Sequence, residues 1–241
     1  MTENIGKKSY KADLHIHSCL SPCADLTMVP SVICTKDVDI LSITDHNTAE
    51  NIAAFLYLCK NKVIVPGIEI HTLEDVHILG YFSTLDDAME VSKVVGENTE
   101  PFPYDPERFG YQLLLNQAEE FVGTLDNYLG FPTNLSIDQT VDLIKKYGGL
   151  AVFAHADRKF GAIYQLGILP KGTNIVEVRK KETCQELRKS GYIVLASSDA
   201  HVPDEIGSRK IFFQNEAFCG KIDSKSVIEN IALGRFRTIW D

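Results

Sequence analysis

Short apolar runs, several rich in β-branched residues, recur along the chain: KADLHIH, VDILSITDH, KVIVPGIEIH, DVHILGYF, GLAVFAHAD, NIVEVRK, YIVLASSDAH and KIFFQNE. Runs of this length bounded by turn-forming residues read as strands. Between most of them apolar positions recur at helical spacing, over roughly 48–60 (TAENIAAFLYLCK), 136–147 (SIDQTVDLIKKY), 180–190 and 223–234 (DSKSVIENIALG). Strands alternating with helices predict a parallel sheet, and over this length a barrel. Ser136 with Gln139 three residues on predicts a capping box, Gly148-Gly149 a helix stop, and Thr48 a cap for the first helix. Residues 95–135 break the alternation. GENTEPFPYDPERFGYQ and VGTLDNYLGFPTN are rich in Pro, Gly, Asn and aromatics around an expected helix at 111–122. The pattern therefore reads as one α/β barrel domain over 1–241, with 95–135 an insertion over the barrel mouth.

Composition narrows the classes. With 241 residues the chain can bury a sizeable core. A net charge of −9 argues against a partner as basic-surface-demanding as extended nucleic acid. The N-terminal MTENIGKKSY lacks the apolar core of a signal peptide, and no apolar run approaches a membrane span. A cytoplasmic protein with no membrane partner is expected. Its cysteines (Cys19, Cys23, Cys34, Cys59, Cys184, Cys219) are then expected to be reduced.

The polar residues sit where a barrel concentrates chemistry, at the C-terminal ends of strands. His15 and His17 close the first strand, Asp45-His46 the second and Glu69 the third. His155 closes LAVFAH, and Asp199 with His201 closes IVLASSDAH; His77, which opens HILGYF, is the exception. The one-residue spacing in His15-x-His17 and Asp199-x-His201 turns both members of each pair the same way. Imidazole with carboxylate suits Zn, Mn or Fe(II). So many donors exceed the needs of one ion, so the site is expected to be multinuclear. Glu69 is the candidate to bridge ions ~3.5–4 Å apart.

The motifs DLHxH (13–17), SITDHN (42–47), PGIE (66–69), VHILGY (76–81), AHADR (154–158) and SSDAH (197–201) resemble those of the PHP (polymerase and histidinol phosphatase) family. The resemblance runs from about residue 10 to 205. It implies a distorted (β/α)7 TIM-like barrel, a trinuclear site of Zn, Mn or Fe at its mouth, and metal-dependent phosphoesterase activity. Carried over, His15, His17, Glu69 and Asp199 would hold one ion. Glu69 would bridge to a second completed by His77 and His155, and His46 and His201 would hold a third. The third ion needs one more ligand from the turn Ser21-Pro22-Cys23-Ala24-Asp25, where no residue falls at the family's usual spacing. Asp25 is the favoured candidate and Cys23 the alternative; with neither, two ions remain.

The expected reaction is in-line attack by a metal-bound hydroxide on the Glu69-bridged pair, on a small phosphomonoester such as a phosphorylated metabolite or nucleotide. Asp45, and less so Asp13, could orient ligand histidines from behind or bond backbone amides. Arg158 is the leading phosphate-binding candidate, with Arg179 and Arg209 behind it. His71 matches no motif and is expected at the rim. Phe102, Tyr104, Arg108, Phe109, Tyr111 and Tyr128 could form a lid that packs on a substrate base or ring, or the aromatics could pin the insertion to the barrel. The alternatives are an exonuclease on short oligonucleotides and a non-catalytic metal-binding regulatory module. A barrel hydrolase of C–N bonds would need a bridging lysine, and the third and fourth strand ends carry none.

Overall fold

The computed structural model describes residues 9–218 and 220–241. In chain order the first half holds β1 (Ser9–Ile16), α1 (Pro30–Ile33), β2 (Ile40–Ile43), α2 (Ile52–Leu58), β3 (Val63–His71), β4 (His77–Tyr81) and α3 (Leu85–Glu97). The segment that follows adds α4 (Pro106–Phe109), β5 (Leu113–Leu115) and β6 (Phe121–Thr124). The second half holds α5 (Ile137–Lys146), β7 (Leu150–Phe153), α6 (Ala162–Leu166), β8 (Ile175–Glu177), α7 (Lys181–Lys189) and β9 (Ile193–Leu195). It ends in β10 (Ile211–Gln214), α8 (Ser224–Ala232) and β11 (Arg237–Thr238).

The main sheet runs β11-β10-β1-β2-β3-β4-β7-β8-β9. Beyond β9, Ala200 bridges in parallel to Ile16, with the His17 amide donating to the Ala200 carbonyl at 3.0 Å. The seven strands from β1 to β9 thus curl into the expected distorted barrel, and β10–β11 extend β1 on its other side. One strand departs from the parallel pattern: β4 pairs antiparallel with both β3 and β7. Along β3, β4, β7, β8 and β9 neighbouring apolar residues fall in two different clusters, as the pleat requires. Ile64, Ile78 and Phe153 cluster with Phe55 of α2, Val91 of α3 and Val141 of α5. Their neighbours Val65, Leu79 and Val152 join Phe213, Val227 and Ile231 instead. Burying one such Phe or Leu contributes about 1.5–3 kcal/mol.

Helices α5, α7 and α8 fall where the periodicity predicts. The Ser136–Gln139 capping box forms in both directions, and Gly148 leaves the helix at φ +70°. The first predicted helix is shorter. It starts at Ile52 and Thr48 does not cap it, because the Asn51 side chain at its start bonds Ser18, Leu113 and Leu115 instead. The helix expected at 111–122 is a hairpin, β5–β6. Asn116 Oδ1 accepts from the amides of Ala118 and Glu120, and Glu119 takes φ +63°, so the chain reverses where a helix would continue.

The segment between α3 and α5 lies against the end of the barrel where β1–β3 finish. Asn47, just past β2, donates to the carbonyls of Leu129 and Phe131, and the Leu113 amide donates to the Cys19 carbonyl. Gly110, at φ +96°, lies so close to Pro22 that a Cβ would fall 1.8 Å from its carbonyl oxygen, so only glycine fits. Phe102, Tyr104, Phe109, Tyr128 and Phe131 pack on one another within the segment.

Candidate metal centre

The reversed direction of β4 accounts for the exceptional position of His77. Register pairs His77 with His71, so the start of β4 lies beside the end of β3. A residue that opens this strand therefore reaches the same rim as residues that close the others. His155 and Asp199 follow β7 and β9 with positive φ, +25° and +55°. Non-glycine residues hold such angles at a cost on the order of 1 kcal/mol, and do so most often at functional sites.

Glu69 is fully buried at the centre. Its Oε1 lies 3.2 Å from His15 Nε2, 3.0 Å from His77 Nδ1 and 3.1 Å from His155 Nε2. Its Oε2 lies 3.3 Å from His17 Nε2 and 2.9 Å from His46 Nδ1. Asp199 Oδ1 is 3.3 Å from both His15 Nε2 and His17 Nε2. Three trios of donor atoms each lie within 4.8 Å of one another: His15–His17–Asp199, His17–His46–His201 and His46–Glu69–His77.

This donor set fits divalent cations on its own chemistry. Glu69 Oε2 and both Asp199 oxygens are buried beside cationic or imidazole partners yet make no aligned hydrogen bond. The Nε2 atoms of His15 and His17 approach to 3.3 Å, a pairing that a shared cation satisfies. Burial opposes charge on His15, but Glu177, Glu69 and Asp199 outweigh it and raise its pKa well above the usual histidine value. Likewise His17 and His46 are raised to about 9 against burial, with Glu69 a cause in both. Burial opposes ionisation of Glu69, yet His77, His15 and His46 hold its carboxyl well below the ordinary range. At His77 and His201 burial wins, and both fall to about 3. A proton-stabilised cluster of this kind is a site where cations can replace protons.

A further layer orients the ring nitrogens. Glu177 Oε1 and Oε2 stand 3.1 and 3.2 Å from His15 Nδ1, and Oε1 also accepts from the His155 amide. Glu177 closes β8 and is absent from the sequence-derived candidates; within NIVEVRK it reads as an interior polar position, so no strand-end signal marks it. Ser21 Oγ lies 2.9 Å from His17 Nδ1 and donates to Asp45 Oδ1 at 2.7 Å. Asp45 thus steadies His17 through Ser21, and also accepts from the Ser18 amide and hydroxyl. Asp13 takes the backbone role, accepting from the amides of Ser198 and Gly207, and burial pushes its carboxyl up to about 6. Glu177→Gln is expected to weaken metal binding about 10–100-fold with the fold intact, read by metal titration and circular dichroism. Unchanged affinity would contradict the orienting role.

The turn after β1 separates its two candidates. Asp25 does not join the cluster: it is exposed, and its carboxylate accepts from the Thr27 amide at 2.8 Å and from the Thr27 hydroxyl. That local loop holds it outward. Cys23 instead lies beside His46, helping to raise its pKa, and lines a cavity of about 170 Å³ with His46 and His77. Three arginines gather on the Asp199 side. Arg158 Nη2 pairs with Asp199 Oδ2, Arg179 Nη1 is 3.7 Å from the same oxygen, and Arg209 is close enough that both depress its pKa after burial does. His71 is buried rather than at a surface rim, bonding Asp75 at 3.0 Å and packing on His77 and Phe160. Cys34 and Cys59 are paired in a disulfide, against the expectation of fully reduced thiols. Cys19, Cys23 and Cys184 are free. No described helix is long and apolar enough to cross a membrane.

No family model matches the sequence, and no curated protein matches it. Solved structures do. A lesion-specific endonuclease from Pyrococcus furiosus superposes with a TM-score of 0.67 at 15% identity, over 96% of this chain and 58% of that one. A two-domain protein from Bacteroides vulgatus, described as containing a predicted PHP-like metal-dependent phosphoesterase, gives 0.55 at 14%, over 98% of this chain and 66% of that one. The fold is that of the PHP-like phosphoesterases. A candidate metal-dependent phosphoesterase from Bifidobacterium adolescentis superposes nearly end to end, with a TM-score of 0.54 at 16% identity over 92% and 96% of the two chains. The endonuclease and the two-domain protein are longer, and this chain spans less than two thirds of each.

Proposed function

We propose that the protein is a metal-dependent phosphoesterase acting on a small phosphomonoester. The observation that carries this reading is the pairing of a carboxylate-centred imidazole cluster with two arginines, Arg158 and Arg179, at Asp199. His15, His17 and Asp199 would hold one ion, and Glu69, His77 and His155 a second. His46 and His201 would hold a third, with Cys23 rather than Asp25 as the donor from the turn. Imidazole with carboxylate suits Zn, Mn or Fe, and a thiolate favours Zn. Bound ions would supply charge neutralisation on the phosphoryl oxygens and acidify the attacking water.

The chain's own residues do the rest. Arg158 and Arg179 present guanidinium groups beside Asp199, where they can grip phosphoryl oxygens that enter the cleft. Glu177 and the Asp45–Ser21 pair keep the His15 and His17 rings aimed. Residues 95–135 serve as a lid over the mouth. A second reading, cleavage of short oligonucleotides, is favoured by the arginine cluster, which could also take a phosphodiester. The likeness to a DNA endonuclease weighs against the expectation drawn from net charge.

The deciding experiment loads the protein with Mn, Fe(II) or Zn and screens phosphomonoesters, 3′,5′-bisphosphate nucleotides and short oligonucleotides. Turnover of phosphomonoesters is expected; metal-loaded protein inert on every phosphoester would refute the reading. Arg158→Ala is expected to lower kcat/KM about 10–100-fold, since a charged hydrogen bond to phosphate is lost, with metal content unchanged.

A further inference from the structure

The cleft has two unlike flanks. The arginines crowd the Asp199 side. The other side opens into the small cavity of about 170 Å³, over His46 and His77 and walled by Tyr128 and Phe160. Phe160 stacks almost parallel on His77, with centroids 4.8 Å apart and planes at 6°. Tyr128 is held from behind by a ring of aromatics: Phe131 at 4.9 Å, Phe109 and Tyr104 at 5.4 Å, and Phe102 at 6.5 Å. A side chain fixed this way is a rigid wall rather than a mobile flap.

Gly130 completes the wall. Its own Cβ, if present, would lie 2.6 Å from Tyr128 Cε1, Cζ and Oη. The absent side chain lets the phenol lie flat against the backbone of residue 130. Any larger residue would push the ring off its present position. The insertion is thus shaped to hold one aromatic plane at the edge of the proposed metal centre.

We infer that Tyr128 and Phe160 form a specificity pocket for a planar ring on the substrate's leaving group, with Gly130 setting the position of the Tyr128 plane. This deepens the phosphoesterase reading and rests on it. The pocket is too small for a whole nucleotide and suits a single ring, gripped by stacking while the phosphoryl group lies over the histidines. Stacking of a base on an aromatic side chain is tolerant of which base is presented. The pocket therefore selects for a flat leaving group rather than for one nucleobase.

The test compares adenosine 5′-monophosphate with glycerol 3-phosphate on metal-loaded wild type, Tyr128→Leu and Gly130→Ala, with circular dichroism to confirm folding. Wild type is expected to favour the nucleotide in kcat/KM. Tyr128→Leu should cut that preference about tenfold or more, and Gly130→Ala should move it the same way. An undiminished preference in both variants, or a wild-type preference for glycerol 3-phosphate, would overturn the inference while leaving the phosphoesterase reading intact. If neither ester is turned over and the wider screen is also negative, the phosphoesterase reading fails. Calorimetry with adenosine then judges the pocket alone: binding lost in Tyr128→Leu supports it, and no binding to wild type overturns it.

Discussion

Glu69→Gln is expected to strip the protein of most of its bound metal and to lower phosphoester hydrolysis at least about 1000-fold, equivalent to about 4 kcal/mol of barrier. One carboxylate contacts the rings of His15, His17, His46, His77 and His155. The amide keeps the shape and the packing but removes the negative charge these rings share. The proposed bridge between ions is lost at once, because an amide offers a single neutral oxygen where the carboxylate offers two anionic ones. Protonated His17 and His46 lose a principal counter-charge as well, so their pKa values should fall from about 9. Elemental analysis and hydrolysis assays on the purified variant check both effects. Full metal content in Glu69→Gln would place the ions elsewhere.

Metal loading is expected to release protons, and its affinity to climb steeply with pH. His15, His17 and His46 all have raised pKa values, so at neutral pH they carry protons in the metal-free protein. A ligand imidazole must be neutral, so each of these protons leaves when its ring binds an ion. Each contributes about one tenfold gain in affinity per pH unit below its pKa, up to three in all over the complete loading. The gain should level off as pH passes about 9 for His17 and His46. His77 and His201, at about 3, are already neutral and contribute nothing in this range. The same raised values stabilise the metal-free fold below the unfolded histidine pKa of 6.5, and that stability is lost as pH rises through about 9. Calorimetry in buffers of different ionisation enthalpy counts the protons. Affinity that stays flat between roughly pH 6 and 8 would contradict the competition between protons and metal.

Much of the site is legible in sequence because strand ends are. His15, His17, Glu69, His155 and Asp199 each follow an apolar run, and such runs in a barrel end at one rim. His77 breaks that rule in sequence and obeys it in space. Period-two alternation marks a strand but carries no direction, so the reversal of β4 could not be read from it. Glu177 escaped notice for a related reason: in NIVEVRK it reads as an interior polar position, and only the short extent of β8 makes it terminal. The turn after β1 misled differently. Asp25 offers the oxygen donor that residue type favours, but its carboxylate is exposed and bonds the Thr27 amide and hydroxyl, which only the folded turn reveals. Helix α3 is a helix the sequence reading does not predict, and the Asn116 turn makes the hairpin β5–β6 where a helix is expected.

The reversal of β4 also decides what kind of loop guards the cleft. In an ordinary βα unit the segment at the mouth joins a strand to the helix after it, so its length is bound up with strand register. Here β4 ends away from the mouth, α3 climbs back towards it, and α5 leaves from it. The guarding segment is therefore a helix-to-helix connection, anchored at both ends by elements outside the barrel wall. Its length is therefore not set by the register of the strands that carry His15, Glu69 or Asp199, although its contacts with Cys19, Pro22, Asn47 and His71 hold it against their ends. Among proteins of this architecture, that makes it the natural place for substrate range to diversify, and the segment to graft when redirecting the enzyme.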